Sequence, residues 1–91
     1  MIVCFTDDGW DDYQHWVARD RDILARLNRL IEDVRRQAFT GLGKPEPLKG
    51  DLKDWWSRRI TADHRLIYAV SGMGDQQRLT IVSCRYHYEK R

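Results

Sequence analysis

At 91 residues the chain is short for more than one core, because domains usually run about 100–150 residues, and a single domain spanning residues 1–91 is expected. Apolar residues at 42% and four tryptophans, set against 33% charged residues, exclude a disordered chain and point to a compact globule with a modest core. The net charge of +2 is unevenly spread: residues 1–43 hold eight acids against six bases, and residues 44–91 ten bases against six acids, so the C-terminal half carries the basic surface that an anionic partner requires.

Met1 to Phe5 is short, apolar and partly β-branched, and reads as a first strand. It has neither a basic start nor a long apolar run, so no signal peptide is expected, and no segment approaches the ~20 apolar residues of a membrane span. A cytoplasmic protein with no membrane partner is the expectation. Thr6, with Asp7 and Asp8 behind it, suits a helix start: the hydroxyl caps free amides and the acids meet the positive end of the dipole. Trp10, Tyr13 and Val17 then recur at helical spacing, with Trp16 beside them. Asp20 looks like the cap of a second helix. In that helix Ile23, Leu24, Leu27, Leu30, Ile31 and Val34 form one apolar stripe, and Arg26, Arg29, Asp33 and Arg36 lie opposite.

The periodicity stops at Gln37. Gly41, Gly43, Pro45 and Pro47 then mark a loop, in which Glu46 stands between two prolines. Each proline fixes its own φ, and Pro47 biases Glu46 away from helix, so the carboxylate sits on a stiff segment. Trp55 to Ile60 is expected as a strand, Thr61-Ala62-Asp63 as a turn and His64 to Val70 as a second strand, with Leu66, Tyr68 and Val70 on one face and Arg65, Ile67 and Ala69 on the other. Ser71 to Asp75 reads as a hairpin loop, and Arg78 to Tyr88 as a last, long strand. The predicted fold is α+β: two N-terminal helices on one face of a mostly antiparallel sheet of four to five strands, the other face open.

Cleaving RNA without a metal needs a base for the ribose 2′-hydroxyl, an acid for the departing 5′-oxygen and fixed positive charge for the phosphorane. Glu46 is a candidate base, His87 a candidate acid and Arg65 a candidate clamp, since a guanidinium grips two phosphate oxygens. Taken one at a time, each also fits a plain role: a solvated loop carboxylate, a structural histidine, a strand-face ion pair. His15 and His64 are read as structural. Of Trp55 and Trp56, alternation sends one ring to the core and frees the other to stack on a base. Cys4 and Cys84 lack any Cys-x-x-Cys partner and read as reduced, buried thiols. No pairing of histidines and cysteines has ligand spacing, so no metal and no cofactor are expected.

Five blocks carry a resemblance to a known family: Trp10-Asp11-Asp12-Tyr13, Gly43-Lys44-Pro45-Glu46-Pro47-Leu48-Lys49, Trp56-Ser57-Arg58-Arg59-Ile60-Thr61, His64-Arg65-Leu66-Ile67-Tyr68 and Cys84-Arg85-Tyr86-His87-Tyr88. In order and content they resemble the YoeB-type toxins of the RelE superfamily, which belong to type II toxin–antitoxin systems. The resemblance implies a ribosome-dependent, metal-independent endoribonuclease that cuts mRNA in the A site, leaving a 2′,3′-cyclic phosphate and a 5′-hydroxyl. It implies Glu46 as base, Arg65 as clamp, His87 as acid, Tyr88 as a group shaping the site, and Lys49 and Arg59 as phosphate holders. Implied partners are a YefM-type antitoxin, the 70S ribosome with its mRNA, and a second toxin copy in a homodimer. The sequence departs from the family pattern in Glu89-Lys90-Arg91, which follow the usual final Tyr, and in a longer hairpin from Ser71 to Arg78. Two other readings share the fold: a toxin that poisons gyrase by binding, and a silent RNA- or antitoxin-binding module.

Overall fold

Thr6 ends the first strand, β1 (Ile2–Phe5), and starts the first helix, α1 (Asp7–Arg19). Its hydroxyl oxygen accepts from the Gly9 amide at 3.0 Å and donates to the Val82 carbonyl at 2.7 Å, so one side chain caps the helix and ties it to the sheet. Asp20 repeats the device for α2 (Arg21–Arg36), accepting from the amides of Asp22 and Ile23 at 3.1 Å each. These caps match the sequence expectation. The computed structural model describes residues 1–52 and 54–87.

Four more strands follow: β2 (Glu46–Pro47), β3 (Trp55–Arg59), β4 (Arg65–Ser71) and β5 (Arg78–Ser83). Among the described residues they form one five-stranded sheet in the order β1-β5-β4-β3-β2, antiparallel except for the parallel β1–β5 pair. The α2 stripe meets its inner face. Leu27, Leu30 and Val34 pack with Leu66, Tyr68, Leu79 and Ile81, all fully buried. Burying each such aliphatic side chain contributes about 1.5–3 kcal/mol, which makes this layer the main apolar contribution to the fold. No helix among the described residues is long and apolar enough to cross a membrane.

Four details differ from the sequence expectation. Glu46 lies on a two-residue edge strand, not in a free loop; Pro47, which has no amide to donate, is tolerated there because it sits at the sheet edge. The last strand stops at Ser83 instead of running to Tyr88, because α1 captures the next backbone groups: Asp12 accepts from the Cys84 amide at 3.0 Å, and the Trp16 indole donates to the Cys84 carbonyl at 2.8 Å. On α1 the inward face is Gly9, Asp12 and Trp16, leaving Trp10 and Val17 exposed. Gly9 lies so close to β5 that an added Cβ would stand 2.2 Å from the Ile81 carbonyl oxygen. Finally, Asp33 is not on the solvated side of α2. It is buried.

Its partner is Arg58, which alternation in β3 sends to the helix side with no exposed surface. A guanidinium has five N–H donors, and here all five directions are taken. Nε donates to the Tyr68 hydroxyl at 3.1 Å. Nη1 donates to Asp33 Oδ2 at 2.6 Å and the Leu42 carbonyl at 3.2 Å, and Nη2 to the carbonyls of Gln37 and Thr40 at 2.7 and 2.8 Å. The Tyr68 hydroxyl passes its own proton to the Ala38 carbonyl at 2.7 Å. Asp33 also accepts from the Leu42 amide at 2.9 Å, and that bond, followed by the Arg58 contact, holds its carboxyl below the ordinary range although burial opposes them. Residues 37–42 are thereby wound around one buried charge pair. Gly41, at φ +115°, passes so close that a Cβ would lie 2.2 Å from Asp33 Oδ2.

Arg58→Met keeps the stem and removes the charge, stranding the Asp33 carboxylate and the loop carbonyls. We expect a loss of about 3–5 kcal/mol in urea unfolding, the usual cost of halving a buried ion pair. A loss under about 1 kcal/mol would mean that water replaces the guanidinium freely.

Candidate active site

The loop wound around Arg58 leads directly into the Glu46 segment. The Gly43 carbonyl accepts from the Arg59 amide at 2.7 Å, and the Leu48 amide donates to the Trp55 carbonyl at 2.8 Å, so backbone bonds bracket Glu46 on both sides. Glu46 pairs in register with Ser57, and Ser57 with Ile67, a row running across β2, β3 and β4. On the side of the sheet away from the helices, a cleft of about 360 Å³ opens over this row. Glu46, Lys49, Arg65 and His87 supply its charged and polar wall, and Leu48, Leu52, Ser57 and Ile67 its floor. Ile67 is buried even though it faces away from the helical core.

Arg65 starts β4 immediately after the turn at residues 61–64. Its Nη1 donates to the Thr61 carbonyl at 2.6 Å and the His64 carbonyl at 3.1 Å, which props the guanidinium against the turn. Its amide donates to the Tyr86 carbonyl at 3.0 Å. The Tyr86 amide in turn donates to His64 Nδ1 at 2.7 Å. With Asp12 and Trp16 holding Cys84, the segment before His87 is gripped at four backbone groups.

Only two non-glycine residues among those described have positive φ, Lys44 at 53° and Tyr86 at 60°. One stands two residues before Glu46 and the other immediately before His87. The left-handed region costs an ordinary residue about 1–2 kcal/mol. Strain placed beside two candidate groups marks a geometry that the surrounding bonds impose.

The cleft thus gathers Glu46, Lys49, Arg65 and His87. Arg59 does not line it; it is exposed and stands directly across from Arg65 in the β3–β4 register. Among the described residues neither arginine makes a carboxylate ion pair, and like charges set opposite each other in a sheet repel. That arrangement suits an anion bound between them. Tyr88 and Glu89-Lys90-Arg91 lie outside the described residues. Trp56 packs against the core and against Phe39 at 4.8 Å between ring centroids, so Trp55 is the indole on the cleft side of β3. Another hollow of similar size, about 390 Å³, lies along α2 between Asn28, Arg29, Glu32 and Leu42 and contains no histidine. Among the described residues, no three His, Cys, Asp or Glu side chains gather in a way that could hold a metal.

Sequence reasoning missed Arg58 and gave His64 no specific task. A signal existed for the first: Trp56, Arg58 and Ile60 alternate onto one face, and a charge in a core register demands a buried partner. His64 packs edge-on against Trp16 at 4.7 Å and lies 5.2 Å from the Tyr86 ring. Burial holds its pKa below the ordinary histidine value. His15 is lowered likewise, by burial first and then by Arg85 and Arg19.

Two helices on a five-stranded, mostly antiparallel sheet, with a basic cleft on the open face, define a RelE-like toxin fold. Residues 5–88 match the family described as the YoeB-like toxin of bacterial type II toxin–antitoxin systems, and the chain belongs to that family. Toxin YoeB of Streptomyces coelicolor is 54% identical over 88 residues, covering 97% of this chain and all of the relative. The YoeB/ParE toxin structure from Agrobacterium tumefaciens superposes with a TM-score of 0.92 at 51% identity, over 97% of this chain and 100% of that one. A YoeB from Staphylococcus aureus, solved in a heterotetrameric complex with YefM, gives 0.85 at 36% identity, over 97% and 98% of the two chains.

Arg59→Ala should leave stability in chloride within about 0.5 kcal/mol of the parent, as expected for an exposed side chain. The rise in Tm on adding sulfate should shrink, because one of two opposed guanidiniums is gone. A clear loss of stability in chloride would instead show that Arg59 holds the sheet.

Proposed function

We propose that the protein is the endoribonuclease toxin of a type II toxin–antitoxin pair, cutting ribosome-bound mRNA in the bacterial cytoplasm by acid–base chemistry that needs no metal. One observation carries the reading: a carboxylate, a guanidinium and an imidazole share the Glu46–Arg65–His87 cleft. In this proposal the Glu46 carboxylate takes the proton of the 2′-hydroxyl, and the 2′-oxygen attacks the adjacent phosphorus. Arg65 balances the charge of the pentacoordinate phosphorane, with Lys49 and Arg59 steering flanking phosphates. The bond to the 5′-oxygen breaks as His87, protonated, gives that oxygen its proton. The products are a 2′,3′-cyclic phosphate and a 5′-hydroxyl, and proton exchange with water resets Glu46 and His87. Tyr88 is assigned to shaping the site.

The same reading gives the chain a single domain, the 70S ribosome as the scaffold that presents mRNA, and a YefM-type antitoxin as its inhibitor. The YoeB–YefM complexes of S. aureus support the antitoxin, and the YoeB dimer from the same organism supports a toxin homodimer. A disordered antitoxin segment that folds across the cleft would mask Arg65 and His87 and meet their charge with acidic or aromatic side chains.

Mapping cleavage of a translated message, with and without ribosomes, tests the function. Glu46→Gln, Arg65→Ala and His87→Gln should each slow cleavage by about 10²-fold or more, the scale of positioned acid–base and charge-stabilising groups. Circular dichroism should stay parental. Parental rates in all three variants would remove the assignment, and gyrase-dependent DNA breaks with intact mRNA would replace it with a binding poison.

A further inference from the structure

A histidine outside the proposed chemistry, His64, bonds to the backbone immediately before His87. We infer that His64 is a positioning residue: its unprotonated Nδ1 accepts the Tyr86 amide, fixes the left-handed turn that carries His87 into the cleft, and releases that turn when protonated. The inference rests on the nuclease reading for its effect on cleavage, but not for the His64–Tyr86 contact itself.

Three observations meet at this contact. The N–H···Nδ1 bond is short, 2.7 Å, and needs a lone pair on Nδ1, so the ring proton must sit on Nε2. Tyr86 holds φ +60°, a conformation an aromatic residue keeps only under constraint, and its amide and carbonyl are both engaged, by His64 and by the Arg65 amide. The ring itself is wedged between Trp16 and Tyr86. An imidazolium would present a second N–H to the Tyr86 N–H, and donor would face donor.

The surroundings favour the neutral ring. Burial is the largest influence; Asp63 in the turn and Asp12 on α1 favour a positive charge, and Arg85 and His87 on the C-terminal segment oppose one, while His64 itself lowers the pKa of His15 on α1. The net result is a pKa below the ordinary histidine value. A depressed folded-state value means that the unfolded chain binds the proton first. The contribution to stability is therefore complete above about pH 6.5 and fades as the pH falls through the folded-state value. Protonation of His64 would set donor against donor at the Tyr86 amide, so acid should loosen the turn that carries His87 into the cleft.

His64→Asn tests this, because the Asn Oδ1 can take the place of Nδ1 as an acceptor without titrating; His64→Ala removes the acceptor. With ribosome-programmed mRNA at pH 7.5, His64→Ala should lower kcat by about 10-fold or more with KM little changed, as a slight misplacement of a reacting group does. His64→Asn should recover most of that rate. As the pH falls below about 6.5 the parent should slow several-fold relative to His64→Asn. Independently of catalysis, amide hydrogen exchange should show Tyr86 protected at pH 7.5 in the parent and released as His64 takes up its proton, an uptake followed by NMR in the same samples, yet protected throughout in His64→Asn. A Tyr86 amide equally protected in the parent with His64 neutral and with it protonated overturns the inference. So does a His64→Asn variant whose rate falls with acid as the parent's does. A parent that cuts no message while its Tyr86 amide still responds to pH would fault the nuclease reading and leave the contact standing.

Discussion

Arg58 is the point on which this architecture turns. A guanidinium without exposed surface is tolerable only if its charge is countered and every N–H finds an oxygen, and Asp33, Tyr68 and three backbone carbonyls meet that demand. Because the carbonyls belong to Gln37, Thr40 and Leu42, satisfying the buried charge also dictates the path of an otherwise irregular loop. That loop enters the edge strand bearing Glu46. A requirement of electrostatics in the interior is thus converted into the position of a carboxylate at the surface, through a segment too short and too rich in glycine and proline to hold itself.

A second set of polar contacts does for the other end of the cleft what Arg58 does for the first. Asp12 and Trp16 on α1 take the backbone of Cys84 away from the sheet, and His64 takes Tyr86. These contacts are few, directional and made to backbone atoms, so they fix where the chain goes on its way to His87, which lines the cleft. The hydrophobic layer beneath is broad and supplies most of the cohesion. Shape at the site comes from the polar minority.

Much of this was legible from residues alone. The α2 stripe from Ile23 to Val34 has helical period and hydrophobic contrast in one window, and Thr6 and Asp20 announce their helices through local chemistry. The prolines around Glu46 mark a stiff segment, although not that it would pair with β3. What escaped was long-range. Asp33 looks like a solvated helix residue until Arg58, 25 positions later, is known to be buried beside it. Residues 84–87 keep a strand-like pattern, and only contacts to α1, 68 and 72 positions away, end the strand at Ser83. Trp10 and Val17 have the right spacing for a core, but the approach of Gly9 to Ile81 rotates a different face inward. Periodicity reports which faces a helix has, and tertiary neighbours choose between them.

The parallel pairing of β1 with β5 bears on how the molecule comes into being. Ile2 finds its sheet neighbour in Arg78, and the Thr6 hydroxyl bonds to a carbonyl 76 positions along the chain. A growing polypeptide that has not yet emerged past Ser83 therefore has its first strand waiting without a mate and no closed sheet for α1 to dock on. Such distant closure slows assembly and makes it wait for β5. A copy still without that strand is consequently shapeless where it would need to be sharp, and whatever harm the finished molecule does is withheld until β5 arrives.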